Sequence, residues 1–209
     1  MSKTRLESAA RVAQVVRTAG PKGGGTEVLL TGVPDGMDAF AVGQFLDDRA
    51  NREGAEENDA SAPIHVHVVR DDRRAEAFLN GLAFFHPDIA TIAFPAWDCV
   101  PYDRVSPNAD IIARRIAALT RLAAGKRNSP TILVTTVNAI LQKTVTPAFI
   151  KSAIKTLSPG QRVDMKRLAA RLTASGYNQT GTVMEPGEFA VRGGIVDLFP
   201  PGRAKPIRL

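Results

Sequence analysis

Cysteine is nearly absent from this chain of 209 residues, and most cysteine chemistry is absent with it. The single cysteine, Cys99, excludes an intramolecular disulfide framework and a zinc site built from cysteines. Long hydrophobic runs are missing too, because no apolar segment approaches the ~18 residues that a membrane-spanning helix requires. The first twenty residues carry charges throughout and lack the continuous apolar core of a secretory signal. We therefore predict a cytoplasmic protein without a membrane partner.

Acidic residues are scarce in the second half of the chain. Residues 104–209 hold 17 Lys/Arg and 5 Asp/Glu, a net charge of +12, whereas residues 1–103 hold 10 and 16, a net charge of −6. This asymmetry indicates two regions with different surfaces. A basic region is a weak indication of nucleic acid or of an acidic partner, and an ordinary solvated surface explains it equally well.

Hydrophobic periodicity predicts an α/β domain over residues 1–150, in which strands alternate with helices and lie parallel. Aspartate 71 or 72 can cap one of the helices, and Ser106 with Pro107 can begin another that ends at Gly125. The predicted strands are 28–30, 63–69, 89–94 and 131–134. The predicted helices are 2–19, 39–50 (Val42, Phe45 and Leu46 inward), 72–85 (Ala75, Phe78, Leu79 and Leu82 inward), 106–125 (Ile112, Ile116, Leu119 and Ala123 inward) and 136–143.

The pattern changes in residues 151–209. A helix is predicted over 163–175, where Leu168 and Leu172 lie four residues apart. Residues 181–202 alternate around Pro186-Gly187 and Gly193-Gly194, which is typical of hairpins. Residues 206–209 read as the start of a further strand, so we predict a second, smaller domain over residues 151–209.

The turn after Val28–Leu30 is the place where a phosphate-binding loop would lie. A working loop needs G-x-x-x-x-G-K-[ST], because the lysine reaches the phosphates and the hydroxyl holds magnesium. Here the turn reads GVPDGMD, residues 32–38, with neither lysine nor hydroxyl and with two carboxylates that would repel a triphosphate. We predict a degenerate loop position (Gly32, Asp35 and Gly36), no cofactor and no catalytic residue.

Metal chemistry has one weak indication. His65 and His67 share one face of a predicted strand, as two metal ligands would, but His86 is the only other histidine. Packing of both rings in a sheet is therefore favoured, and no metal site is predicted. Cys99 is interpreted as an inert thiol.

Aromatic side chains are few, and two of them lie in a proline-rich loop at residues 94–107. Trp97 and Tyr102 could stack nucleic-acid bases, but Asp98 and Asp103 oppose a polyanion there. Packing of Trp97 against the edge of the sheet is the favoured interpretation.

Two segments together resemble a known family. They are FPAWDCVPYDRVSPNADIIARR, residues 94–115, and MEPGEFAVRGGIVDLFP, residues 184–200. Both closely resemble the N-terminal, UvrB-like module of the bacterial transcription-repair coupling factor (Mfd). The resemblance spans most of the chain and is strongest from residue 94 onward.

The resemblance implies a degenerate helicase-like domain of the P-loop type over residues 1–150, without ATP handling. It implies a UvrA-binding domain, like the second domain of UvrB, over residues 151–209, and it implies that this domain is incomplete at its C-terminus. The family is an ATP-dependent DNA translocase that displaces stalled RNA polymerase and recruits UvrA for nucleotide excision repair. This chain would then be a non-catalytic adaptor for UvrA. The remainder of the full-length protein would contact RNA polymerase and DNA.

Two arginines are the predicted UvrA contacts. Strand alternation places Phe189 and Val191 on one face and Arg192 on the other, and the resemblance implies that Arg192 and Arg208 meet UvrA. Two alternatives stay open. Arg192 could pair with Glu185 or Glu188 across the hairpin, and the basic half of the chain could be a DNA-binding module.

Overall fold

A computed structural model describes residues 14–19, 26–34, 36–53, 64–100, 104–125 and 129–209. Three separate sheets lie within these ranges: a two-stranded, a three-stranded and a four-stranded one. Over the same ranges, no helix combines the length and the apolar composition that crossing a membrane takes.

The two-stranded sheet is an antiparallel pair of β1 (Gln14–Ala19) and β2 (Thr26–Thr31). The helix predicted over 2–19 is therefore wrong for residues 14–19, while residues 2–13 lie outside the described ranges. The segment QVVRTA is rich in β-branched residues, which lose rotamer freedom in a helix and suit a strand. The strand predicted at 28–30 is present in β2, but it pairs with β1 and not with the parallel sheet.

The three-stranded sheet is parallel, as predicted, and has the order β3-β5-β4. Its strands are β3 (Ile64–Val69), β4 (Ala90–Phe94) and the central β5 (Thr131–Thr136). Thr131 lies opposite both Ile64 and Ala90 in the register. The last strand in sequence is thus inserted between the first two, and β5 is buried along almost its whole length.

Helices cover both faces of this sheet. On one face lie α1 (Asp38–Glu53) and α2 (Asp72–Phe85), which approach so closely that a Cβ on Gly81 would lie 2.7 Å from Cβ of Ala39. On the other face lies α3 (Ala109–Ala123). The core of the first face contains Ala39, Leu46, Phe78, Leu82, Ile132 and Val134, and the core of the second contains Ile92, Phe94, Ala118 and Ala139.

Three local predictions about these helices are corrected. Phe45 and Ile116 were expected to face inward, but they are 51% and 40% exposed. The buried side chains described in these helices are Ala39 and Leu46 in α1, and Ala113, Arg115, Ala118 and Ala123 in α3. The cap of α3 is Asn108 and not Ser106, because the Asn108 side chain accepts a hydrogen bond from the Asp110 amide at 2.9 Å.

Other local predictions are confirmed. Asp71 caps α2 by accepting a hydrogen bond from the Arg74 amide at 2.9 Å, and this bond is the main cause that lowers the pKa of Asp71. The α3 segment stops before Gly125, which has a left-handed φ of 84°. The short helix predicted after β5 is α4 (Val137–Ile140), capped by Thr136.

The four-stranded sheet lies in the last part of the chain, after α5 (Pro147–Ala153) and α6 (Met165–Ala174). Its order is β6-β7-β8-β9, where β6 pairs parallel with β7 and the other pairs are antiparallel. The strands are β6 (Asn178–Gln179), β7 (Glu188–Arg192), β8 (Ile195–Leu198) and β9 (Ile207–Arg208).

The predicted hairpin at Gly193-Gly194 is confirmed, since β7 and β8 pair across it with Arg192 opposite Ile195. The hairpin predicted at Pro186-Gly187 is wrong. The strand before that turn, β6, runs parallel to β7, with Asn178 opposite Glu188, so the connection between them is a loop and not a hairpin.

Candidate functional site

Helix α6 packs on one face of the four-stranded sheet, and the other face carries exposed side chains. Phe189, Val196 and Leu198 point to one face, where they pack on Leu168 and Leu172 of α6. This is the arrangement that alternation along the hairpin predicts. The alternate residues point to the opposite face, which we call the arginine face; its members are Ala190, which is buried, and Arg192, Ile195, Asp197 and Arg208.

Arg192 is the last residue of β7 and precedes the open turn at Gly193-Gly194. Its Nη2 donates hydrogen bonds to the carbonyl oxygen of Gly181 and to Oγ1 of Thr182, the latter at 3.1 Å. These bonds fix the side chain in one orientation on the exposed face. Within the described ranges, Nε and Nη1 of Arg192 remain without an acceptor, so its fork can still bind a carboxylate.

The alternative in which Arg192 pairs across the hairpin with Glu188 is not the arrangement observed. The Glu188 carboxylate accepts hydrogen bonds from the amides of Met184 at 2.7 Å and Glu185 at 3.0 Å. These two amides hold the pKa of Glu188 below its usual range. Glu188 therefore stabilises the turn before β7 through these hydrogen bonds. Among the described residues, no carboxylate forms an ion pair with Arg192.

Arg208 has a different environment from that of Arg192. Its Nε and Nη2 donate to the two oxygens of Asp197, at 2.6 Å and 2.9 Å. This bidentate pair raises the pKa of Arg208 and is the main cause that lowers the pKa of Asp197; the charge of Arg192 lowers it further. Arg208 is thus held in place by a paired carboxylate, whereas Arg192 forms no ion pair with a described residue.

The arginine face therefore carries two guanidinium groups and one carboxylate around an exposed apolar side chain. Ile195 is 42% exposed. A Cβ placed on Gly193 or Gly194 would meet no atom within 4 Å, so the space above the turn is open. Such a surface suits a protein that presents carboxylates beside a small apolar patch.

The degenerate loop position lies far from this face in the sequence, just before α1. Gly32 and Gly36 both have a left-handed φ, 74° and 84°, and the Met37 amide donates to the Pro34 carbonyl at 3.0 Å. Asp35 lies outside the described ranges. The turn leads directly to Asp38, whose carboxylate is paired with Arg74 at 3.2 Å.

His67 and His86 make internal contacts. The ring of His67 stacks on Phe78 with centroids 3.8 Å apart, and burial lowers its pKa. His86 places Nδ1 at 2.9 Å from Oδ2 of Asp47. Among the described residues, no group of three or more His, Cys, Asp or Glu side chains is arranged to hold a metal ion.

The sequence did not predict that one arginine, Arg115, is buried. Arg115 is only 2% exposed and lies between the rings of Phe94 and Trp97, with its Cζ 4.2 Å from each ring centroid. Its Nη1 donates to the Pro95 carbonyl at 2.6 Å and to Oε1 of Gln142 at 3.1 Å. Trp97 therefore packs on an arginine at the end of the sheet. Tyr102 and Asp103 lie outside the described ranges.

Comparison with known proteins bears on the region that carries the arginine face. Residues 156–209 match the UvrB interaction domain family. The chain is 30% identical over 181 residues, 87% of its length, to the transcription-repair-coupling factor of Haemophilus influenzae. It is 36% identical over 113 residues, 54% of its length, to that of Escherichia coli. It is 34% identical over 154 residues, 71% of its length, to that of Myxococcus xanthus.

The sheets and helices make this a mixed α/β protein, and the family match shows a UvrB interaction domain in its last part. The predicted resemblance is confirmed, and the chain is homologous to part of the bacterial transcription-repair coupling factor. It spans 14%, 10% and 13% of the three relatives named above.

Proposed function

We propose that this chain acts in transcription-repair coupling as a non-catalytic adaptor that binds UvrA through the arginine face. The observation that carries the proposal is Arg192, exposed, held in one orientation and free of a carboxylate, within the segment that matches the UvrB interaction domain. Arg208 is the second contact. The relatives are named for coupling transcription to repair, and we extend that role to this chain.

The domain division belongs to the same proposal. Residues 1–150 would be a degenerate helicase-like domain, and residues 151–209 the UvrA-binding domain. The parallel sheet and the glycine turn before α1 support the first assignment. We further assign the RNA polymerase contacts, and ATP-driven translocation with the DNA contacts that it needs, to parts of the relatives that this chain does not span. We place the protein in the cytoplasm.

The energetics favour Arg192 as the main contact. A guanidinium that is already fixed by two hydrogen bonds loses little conformational freedom when a partner docks. It can form a bidentate pair with an incoming carboxylate, and arginines in such positions are frequent hot spots, whose truncation costs about 2 kcal/mol or more. Arg208 would have to share its fork with Asp197, so we expect it to contribute less.

The proposal is tested by measuring UvrA binding to the immobilised chain by biolayer interferometry. Arg192→Glu should weaken binding at least about 30-fold, the equivalent of about 2 kcal/mol, and Arg208→Glu should weaken it less. Arg203→Glu is the matched control, because Arg203 is exposed in the same region but lies outside the arginine face. Equal losses for Arg192→Glu and Arg203→Glu, or a loss under about threefold for Arg192→Glu, would show that the face is wrongly assigned.

The non-catalytic part of the proposal needs its own test. Titration with a fluorescent ATP analogue should show no saturable binding in the micromolar range, because the turn after β2 offers neither the lysine nor the hydroxyl that binds phosphate. Saturable binding that disappears when Gly32 or Gly36 is replaced would contradict it.

A further inference from the structure

A strongly basic cleft lies beside α6, away from the arginine face. It encloses about 760 Å³ between the start of α6 and the connection that precedes it. Its cationic members are Lys155, Arg162, Arg167 and Arg171, which together define what we call the basic cleft.

The charges of the basic cleft are not balanced by nearby acids. Asp164 is the one carboxylate among the described residues of its lining, and it caps α6 by accepting a hydrogen bond from the Arg167 amide at 3.1 Å. The sequence contains no other acidic residue from position 111 to position 184. In the described ranges, none of the four cationic side chains forms an ion pair, and Arg171 donates only to the Ser152 carbonyl at 3.3 Å.

The arrangement of these cations is locally unfavourable for the helix that carries them. Arg167 and Arg171 are four residues apart on α6 and therefore lie side by side on its surface. Like charges at this spacing destabilise a helix. A sequence that breaks a local rule without an evident compensation indicates a functional surface, and a bound anion would relieve the repulsion.

The basic cleft and the arginine face lie on opposite sides of the sheet. Leu168 and Leu172 of α6 pack on Phe189, whereas Arg192 points to the other side. An occupant of the cleft therefore would not compete for the surface that we assign to UvrA, and the two assignments can succeed or fail separately.

The chemistry of the lining indicates which polyanion the cleft fits. Among the described residues, no aromatic side chain lines it, so these residues offer neither the stacking platform that binds single strands nor the aromatic anchor typical of protein interfaces. It offers exposed cations at several points, which is the pattern of contact with a phosphate backbone. We propose that the basic cleft binds the phosphate backbone of duplex DNA without sequence preference.

The test is fluorescence anisotropy of a labelled 20-base-pair duplex of mixed sequence, titrated with the chain at several KCl concentrations. The double variant Arg167→Gln/Arg171→Gln should bind at least about tenfold more weakly at 50 mM salt. Its log–log salt slope should be shallower by about 2, because each lost phosphate contact removes about 0.9 from the slope. The variant should melt no lower than the wild type, since both side chains are exposed and repel each other.

The matched control removes two positive charges from outside the cleft. Arg70→Gln/Arg114→Gln has the same net charge, and both residues are exposed on the first region of the chain. This control should retain wild-type DNA affinity within about threefold. An equal loss in both double variants would mean that net charge alone acts, and would overturn the proposal.

Two further outcomes would also overturn it. One is the absence of salt-dependent duplex binding at millimolar protein, since non-specific affinities lie at about 10⁻⁴–10⁻⁶ M. The other is tighter binding of a poly-glutamate peptide or of the single-stranded oligonucleotide than of the duplex, which would assign the cleft to a different ligand.

Discussion

The parallel sheet and the four-stranded sheet differ in how they are covered. The parallel sheet has α1 and α2 on one face and α3 on the other, and it buries Arg115 between two aromatic rings. The four-stranded sheet has α6 on one face and leaves Arg192 exposed on the other. The difference separates two roles for the same side chain: the first arginine stabilises the fold, and the second is available to a partner.

The largest effect that we expect tests the stabilising role. Arg115→Ala removes two desolvated cation–π contacts, each worth about 2 kcal/mol, and opens a cavity between Phe94 and Trp97. We expect the free energy of unfolding to fall by about 3–5 kcal/mol. Urea unfolding measures it directly, because Trp97 is the only tryptophan in the chain and reports on this contact.

Arg115→Lys is the control for charge. Lysine keeps the positive charge but lacks the planar fork that stacks between two rings and donates to Pro95 and Gln142. It should therefore recover less than half of the loss. If Arg115→Lys is as stable as the wild type, the positive charge alone stabilises this site. The contrast between Arg115 and Arg192 would then not depend on the stacked guanidinium group.

A smaller effect is expected where α1 meets the end of α2. A Cβ on Gly43 would lie 2.1 Å from Cδ2 of His86, and the ring cannot move without losing its contact with Asp47. Gly43→Ala gains about 1 kcal/mol in helix propensity, but overpacking costs about 1–3 kcal/mol. We expect a net destabilisation of about 1 kcal/mol in thermal or urea unfolding.

The control for this prediction is the double variant Gly43→Ala/His86→Ala, compared with His86→Ala alone. Once the ring is gone, the alanine at position 43 should raise stability relative to His86→Ala, because only the propensity gain remains. If Gly43→Ala is equally harmful with and without the ring of His86, the close approach is not the cause.

The smallest effect concerns pH and the four-stranded sheet. The pKa of Asp197 is lowered mainly by its hydrogen bonds from Arg208, so the folded state binds a proton less readily there than the unfolded chain. This contribution to stability is present above the unfolded pKa of about 3.9 and is lost as the pH falls through the lower folded pKa. Asp197→Asn should therefore be less stable than the wild type near neutral pH, and the gap should close in acid.

Urea unfolding at pH 7, 4 and 2 checks this prediction. Arg203→Gln is a control, because it removes a charge from the same region without touching the pair. A gap between the wild type and Asp197→Asn that stays constant down to pH 2 would show that the pair with Arg208 contributes nothing through its charge.

The sequence predicted most of the elements because their local signals are strong. The run TILVTT in β5 is a buried parallel strand by composition, and Asp71 before an apolar helical stripe is a capping signal. Phe189 and Val191 alternate with Arg192, so the direction of that side chain also followed from the sequence. The segment 14–19 was mistaken for a helix, because its apolar spacing also fits a helical period and the pairing strand lies outside that window.

Tertiary structure decided what no local pattern contains. In sequence, Arg114 and Arg115 are two adjacent arginines on an amphipathic helix, yet only the second is buried, because the loop after β4 places Trp97 over it. Asp197 and Arg208 are separated by a turn and meet only because β8 and β9 pair in one register.

What the amino-acid order determined by itself is the parallel α/β organisation, the hairpin at Gly193-Gly194 and the outward direction of Arg192, since these depend on periodicity within a few residues. What only the folded chain decided is the insertion of β5 between β3 and β4, the burial of Arg115 and the pairing of Arg208 with Asp197. The physical reason is that these features depend on contacts between segments far apart in sequence, whose energies exist only once the sheets have formed.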